Sequence, residues 1–345
     1  MLKLLNDANS DTATGCDDIP GFLLKKIGPA IAPNITTIFN RSIASGEFPT
    51  NWKHANVSAV WKGKGSKSEP SNYRPISVLP VLGRLLEKAA AMQLGKYCEE
   101  NSIVPIQQFG FRGRSSCEIA LISATESWMK AVDEGKIVGA VLIDLSKAFD
   151  TVPHQKLIIE LSKVGCGLQV LNWFVSYLTG RQQRVCQRPE AAPWRNVTRG
   201  VPQGSCLSPL LFNIFVREIP TLSNADTLMF ADDITHSEAH QSPTILVDKL
   251  TDAFSRTKEF CQTHELVINA AKTQFIVLYS SAKALPPSFA INLDGFTIEP
   301  TRTVKLLGVT LDRHLTFGPF IDEISKKCHS IAPRGPLSSC SISSD

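Results

Sequence analysis

The chain has 345 residues, 43% hydrophobic and 20% charged, with 36 Lys and Arg against 32 Asp and Glu for a formal charge of +4. That balance excludes a disordered or collagen-like chain and leaves a globular one able to bury a sizeable core, basic enough to tolerate contact with nucleic acid. The nine cysteines are scattered singly, with no C-x-x-C pair, which excludes zinc-finger spacing and a disulfide framework and sets a reducing, intracellular setting as the expectation.

In chain order, residues 1–18 read as an N-terminal tail without a long apolar segment. No later run approaches the roughly 18 apolar residues of a membrane span, so no membrane partner is expected. Asp17-Asp18-Ile19-Pro20 predicts a helix start, with acids at the cap and proline in the first turn, and Phe22, Leu23, Leu24 and Ile27 follow at helical spacing. A second helix is predicted over Pro33–Ser45, stopped by Gly46. Val57–Trp61 predicts a short strand running into a Gly/Lys/Ser loop. Helical patterns cover Val81–Glu100 and Ser115–Val132. Residues 137–145, "IVGAVLIDL", form an apolar run ending in an acid, as a strand buried on both faces would.

Helices follow over Pro153–Val164 and Leu168–Leu178, and then an arginine-bearing stretch, "GRQQRVCQRPEAAPWRNVTRGVPQGS". Ser208-Pro209 reads as the cap and first turn of an apolar helix reaching Val216. After the acids of "FADDI", residues 245–264 are helical in pattern, and 274–279 and 303–311 are strand-like. The tail "PRGPLSSCSISSD" carries no periodicity. The whole is a mixed α/β (α+β) chain without internal repeats.

Three acids, Asp144, Asp232 and Asp233, end or interrupt apolar strands. A carboxylate leaving a buried strand is costly unless it is paired or binds metal. Aspartates converging at a sheet edge suit Mg²⁺, with water and phosphate completing the shell. Two such ions about 4 Å apart activate a 3′-hydroxyl and steady a leaving pyrophosphate. Taken alone, the Asp pair also reads as a tight turn with solvated acids; Asp144 and the turn "VPQGS" weigh against that.

"VLIDLSKAFDTV", "RGVPQGSCLSPLLFNIFV" and "FADDI", in this order, resemble the core palm motifs of reverse transcriptases of the non-LTR (LINE-like) retrotransposon group, nearest the jockey and related clades. The likeness extends back through "NYRPISVLPVLGRLLEK" and "QFGFRGRSSCEIAL" and forward through "LVINAAKTQFIV" and "VKLLGVTLDRHLTF", covering about residues 15–330. The wording of "FGFRGRSSCEIAL" and "YLTGRQQRV" sets it apart from maturase and telomerase types. The resemblance implies a right-hand polymerase fold with fingers and palm, an RNA template, a DNA primer and dNTPs as partners, and two Mg²⁺ ions, Mn²⁺ being a possible substitute. It assigns Asp144, Asp232 and Asp233 to metal binding and Lys272 to general acid for pyrophosphate. Arg74, with Lys62 or Lys64, would hold the triphosphate; the sequence leaves the choice of lysine open. Phe149 would be the steric gate against a ribose 2′-hydroxyl, Gln203 would pack near the nucleotide, and Gly204 would let the backbone approach template and nucleotide. "LLGVTL", around Gly308, resembles the hairpin that grips the primer end. The arginines 181, 184, 188, 195 and 199 read equally as duplex phosphate contacts or as a solvated hairpin face.

The implied organisation is fingers over 19–136, palm with primer grip over 137–317, and a thumb start followed by a disordered tail over 318–345, with the reverse transcriptase domain at about 55–311. The family carries a helical thumb beyond this point, so the expectation is a truncated copy with the thumb largely missing and a weak grip on duplex. A catalytically silent remnant, at most RNA-binding, is the alternative. Nucleus and cytoplasm are the compartments the resemblance implies.

Overall fold

A computed structural model describes residues 1–10, 13–187, 190–280, 289–293 and 295–331. The chain begins with helices α1 (Leu2–Asn6), α2 (Gly21–Lys26) and α3 (Gly28–Ser45), then strands β1 (His54–Trp61) and β2 (Tyr73–Val78). Helices α4 (Val81–Glu100) and α5 (Cys117–Asp133) lead to β3 (Ile137–Ile143), followed by α6 (Ala148–Thr151), α7 (His154–Lys163) and α8 (Leu168–Leu178). Strands β4 (Arg181–Gln187), β5 (Glu190–Ala191) and β6 (Arg195–Val197) precede α9 (Ser208–Phe215). The hairpin β7 (Asp226–Phe230) and β8 (Asp233–His240) is followed by α10 (Pro243–Thr263) and β9 (Gln274–Leu278). Two short hairpins, β10 (Ile291–Leu293) with β11 (Phe296–Ile298) and β12 (Thr303–Leu306) with β13 (Val309–Asp312), come before α11 (Gly318–Ile331).

The central sheet runs β7-β8-β3-β9, antiparallel throughout. Its middle strand β3 is buried on both faces, as the unbroken apolar run predicts, and the period of two divides its side chains. Ile137, Val141 and Ile143 join the main core with Leu246, Leu250 and Phe275. Val138 and Ala140 join a second cluster with Trp128, Ile276 and Leu311. Gly139 sets how closely α10 lies on the sheet: a Cβ there would stand 2.7 Å from Leu246 Cδ2 and 2.8 Å from Leu250 Cδ1. The β3–β8 ladder ends at Ile143 opposite Ile234. The next residues beyond that pair, Asp144 on one strand and Asp233 on the other, therefore emerge side by side.

A second sheet runs β2-β1-β4, with β5 and β6 both pairing β4. Its parallel β1–β4 ladder, His54 opposite Gln182 to Val57 opposite Val185, crosses the boundary drawn at residue 136 between fingers and palm. Local structure departs from the sequence expectations in a few places. Residues 1–18 hold α1, whose Leu5 is fully buried. The acids at 17 and 18 do not cap α2, whose N-cap is Pro20. Helix α3 starts at Gly28 and carries Pro33 within its length. Strand β2 was hidden by its proline; Pro75 is tolerated because β2 lies at the edge of its sheet, where a missing N–H breaks no ladder. Ser208 does not cap α9: Leu207 is the N-cap, and its amide donates to the Ser205 hydroxyl at 3.1 Å. The predicted tail from 332 onward lies outside the described residues.

Candidate active site

The acidic edge follows from strand register. Asp144 leaves β3, Asp232 sits in the two-residue Ala231-Asp232 loop after β7, and Asp233 is the first residue of β8, opposite Phe230. Burial, then the like charge of Asp232, then that of Asp144 push the Asp233 carboxyl up to about 6. Asp233 is exposed by area, so the packed hairpin beneath it, rather than enclosure, supplies the burial. Asp232 is raised as well, by burial first and by Asp144 among the rest. Lys272, two residues before β9, closes the edge: its Nζ stands 3.2 Å from Asp144 Oδ2.

The donor set is all oxygen, crowded with like charge, and opposed at Asp144 by one displaceable ammonium. That chemistry fits a hard divalent cation. Among the described residues no three Asp, Glu, His or Cys side chains are gathered closely enough to enclose an ion.

Sequence reasoning missed Gln108. Buried to 1% exposure, it reaches the acidic turn from the loop between α4 and α5. Its Oε1 accepts from the amides of Gly110 and Ala231, both at 2.9 Å, and its Nε2 donates to the Ala231 carbonyl at 3.3 Å. Ala231 has φ +57°, a left-handed conformation that costs a residue with a Cβ roughly 1–2 kcal/mol. The signal was present in "QFGF" as a polar residue inside an apolar stretch, but its partner lies 123 residues away.

The residues expected around a nucleotide divide into two groups. Arg74 is exposed on β2, opposite Val60 of β1. Lys62 donates its Nζ to the Ser71 carbonyl at 2.8 Å, bracing its own loop, while the exposed Lys64 has no side-chain partner among the described residues. Phe149 is half-buried, stacked on Phe212 with centroids 4.6 Å apart and edge-on to Phe111. The Gln203 amide donates to Asp150 Oδ1 at 2.7 Å, and its carbonyl accepts from Ser77 of β2 at 2.7 Å. Gly204 has φ +114°, and a Cβ there would stand 2.7 Å from the Ser77 carbonyl oxygen, so the close approach it permits is to β2. Gln203, Asp150, Lys147, Arg181 and Arg199 line a cavity of about 270 Å³, to which the three acids do not contribute.

The arginine run does not act as one surface. Arg181 is buried, with its guanidinium 4.9 Å from the Tyr177 ring and donating to the Tyr177 carbonyl at 3.1 Å. Arg184 lies over Trp194 at 4.4 Å and donates to Asn56 at 3.0 Å. Arg199 pairs with Glu265 at 2.6 Å, Arg195 is exposed on β6, and Arg188 lies outside the described residues. No helix among the described residues is long and apolar enough to cross a membrane.

The family model for reverse transcriptase (RNA-dependent DNA polymerase) matches residues 62–311, well over half of the chain. Three similar proteins come from Drosophila melanogaster. The probable RNA-directed DNA polymerase from transposon BS is 30% identical, over 91% of this chain and 35% of its own length. The probable RNA-directed DNA polymerase from transposon X-element is 28% identical, over 92% and 35%. The RNA-directed DNA polymerase from mobile element jockey is 28% identical, over 88% and 34%. The chain thus spans about a third of the length of these curated relatives.

Proposed function

This chain belongs to the reverse transcriptase (RNA-dependent DNA polymerase) family, and from that premise we propose that it adds deoxynucleotides to a primer 3′-hydroxyl on an RNA template, as part of a non-LTR retrotransposon. The observation that carries the reading is the meeting of Asp144, Asp232 and Asp233 at one sheet edge, where their charges oppose one another. Asp144, Asp232 and Asp233 would hold two Mg²⁺ ions, or Mn²⁺ in their place. When bound, the ions supply Lewis-acid activation of the 3′-hydroxyl and neutralise charge building on the leaving pyrophosphate.

The remaining steps belong to side chains. Arg74 would hold triphosphate oxygens with its planar fork, helped by Lys62 or Lys64. Gln203, its amide oriented by Asp150, would lie against the nucleotide. Phe149, fixed by its stack on Phe212, would exclude a 2′-hydroxyl and so favour dNTPs. As the 3′-hydroxyl gives up its proton to water, its oxygen bonds to the α-phosphorus and the bond to pyrophosphate breaks, and Lys272 Nζ would deliver a proton to the departing oxygen. In this reading the fingers occupy 19–136 and the palm 137–317, the β12–β13 hairpin around Gly308 grips the primer, and insertion at chromosomal DNA places the work in the nucleus.

The test is Mg²⁺-dependent primer extension on an RNA template, with Asp232→Ala beside the parent chain. Extension by the parent and none by the variant is expected. Equal extension by both would refute the assignment. Salt-sensitive RNA binding without incorporation would assign the chain to a silent remnant instead.

A further inference from the structure

The geometry points to Gln108 as a positioning residue for metal binding, whose buried carboxamide holds the Ala231-Asp232 turn in the conformation that brings Asp232 toward Asp144. This rests on the reading of Asp144, Asp232 and Asp233 as metal ligands.

A two-residue hairpin loop needs positive φ at its first position, where glycine is the usual occupant. Here the occupant is Ala231, at φ +57°. A conformation of that kind persists only where its surroundings over-determine it. Gln108 provides this, because both backbone polar groups of Ala231 end on its one side chain: the amide on Oε1 and the carbonyl on Nε2. At 1% exposure no solvent stands ready to replace either bond.

The clamp is itself rigid. The backbone beside Gln108 pairs with β7, Phe109 donating to the Met229 carbonyl and Met229 to the Gln107 carbonyl, both at 2.9 Å. Buried Asn213 of α9 donates to the Gly110 carbonyl at 2.8 Å. Gly110 has no room for a side chain, since a Cβ would collide with the Ala231 backbone nitrogen. Segment 107–110 therefore runs beside β7 through a single parallel bridge, Gln108 opposite Met229, and is fixed from two sides.

The need for a clamp follows from charge. Three carboxylates gathered at one sheet edge by strand register repel one another in the metal-free protein. A loosely held turn would relieve the repulsion by swinging Asp232 away, and each metal-binding event would have to reverse that swing. With Ala231 pinned, the turn stays ready, and the cost of gathering the ligands falls on folding instead of on binding.

The experiment measures Mn²⁺ affinity by electron paramagnetic resonance on the whole chain, without nucleotide or template, well below each variant's thermal midpoint. Gln108→Met keeps the length and removes both the donor and the strong acceptor; Gln108→Asn keeps the amide but is one methylene short. Asp232→Ala reports on the ligands themselves. Expected are loss of tight Mn²⁺ binding in Asp232→Ala and a weakening of about tenfold in the folded Gln108 variants. A merely structural Gln108 would lower the thermal midpoint and leave Mn²⁺ affinity of the folded chain where it was. That result, with Asp232→Ala still impaired, overturns the proposal. If Gln108→Met does not fold, Gln108→Asn decides by the same criterion. Mn²⁺ affinity untouched by Asp232→Ala is a separate outcome: it removes the ligand reading and the clamp's purpose with it.

Discussion

Gly204 provides a quantitative check on how the "VPQGS" turn is held. Replacing it with alanine sets two penalties against the fold. The backbone stays at φ +114°, a region that residues with a Cβ rarely enter, at a cost of about 1–3 kcal/mol. The new Cβ would also stand 2.7 Å from the Ser77 carbonyl oxygen, a backbone atom that cannot swing aside, and relieving that overlap costs about 1–3 kcal/mol more. Gly204→Ala is therefore expected to lose about 2–6 kcal/mol, read by urea unfolding followed through tryptophan fluorescence. Gly63→Ala is the control: φ there is +77° but a Cβ would meet nothing within 4 Å, so only the backbone penalty of about 1 kcal/mol applies. The difference between the two variants isolates the Ser77 contact. Because Gln203 accepts from the Ser77 amide, Gly204→Ala should also raise the dNTP KM as the turn backs away from β2. If Gly204→Ala costs no more than Gly63→Ala, the packing of the turn against β2 is wrong.

Three other variants address charge and burial. Asp233, raised from 3.8 to about 6 by burial and by Asp232 and Asp144, carries a penalty absent below pH 3.8 and complete above about 6; in chelator, Asp233→Asn should stabilise the protein at pH 7.5 by about 1 kcal/mol after allowance for its exposure, and the gain should vanish in thermal scans near pH 4. Buried His236 bonds Thr227 at 2.9 Å and Thr257 at 2.8 Å, and burial lowers it from 6.5 to about 4; its stabilisation is whole above pH 6.5 and lost as pH falls toward 4, and Thr257→Val should cost about 1–2 kcal/mol at pH 7 by urea titration. Both lysines are exposed, but Lys62 is tied to the Ser71 carbonyl and Lys64 has no side-chain partner among the described residues, so Lys64→Ala should raise the dNTP KM more than Lys62→Ala, as steady-state primer extension would report.

Much of the molecule was legible without coordinates because its signals are local. The apolar run 137–143 announced a strand buried on both faces, and β3 divides its side chains between two cores. Helices α4, α5, α8 and α10 lie close to where their periodicity puts them, and the structure adds a cap at α5, where the Ile119 amide donates to the Ser116 hydroxyl. What failed were elements whose stability is not local. Strand β2 exists because β1 pairs with it, and Pro75 survives there only at an edge. Arg181, grouped by spacing with exposed arginines, is buried against Tyr177, whose ring lies under its guanidinium and whose carbonyl accepts from it.

The sequence by itself singled out three acids that break apolar strands and a glycine-bearing turn, because residue type and spacing mark them. Tertiary structure alone decided how they are held. Register sets Asp144 beside Asp233, Lys272 reaches Asp144 across 128 residues of chain, Gly204 makes room for Ser77, and Gln108 pins Ala231 from another 123 residues away. Periodicity and capping act over a few residues, whereas a hydrogen bond between distant segments leaves no trace in the residues next to it.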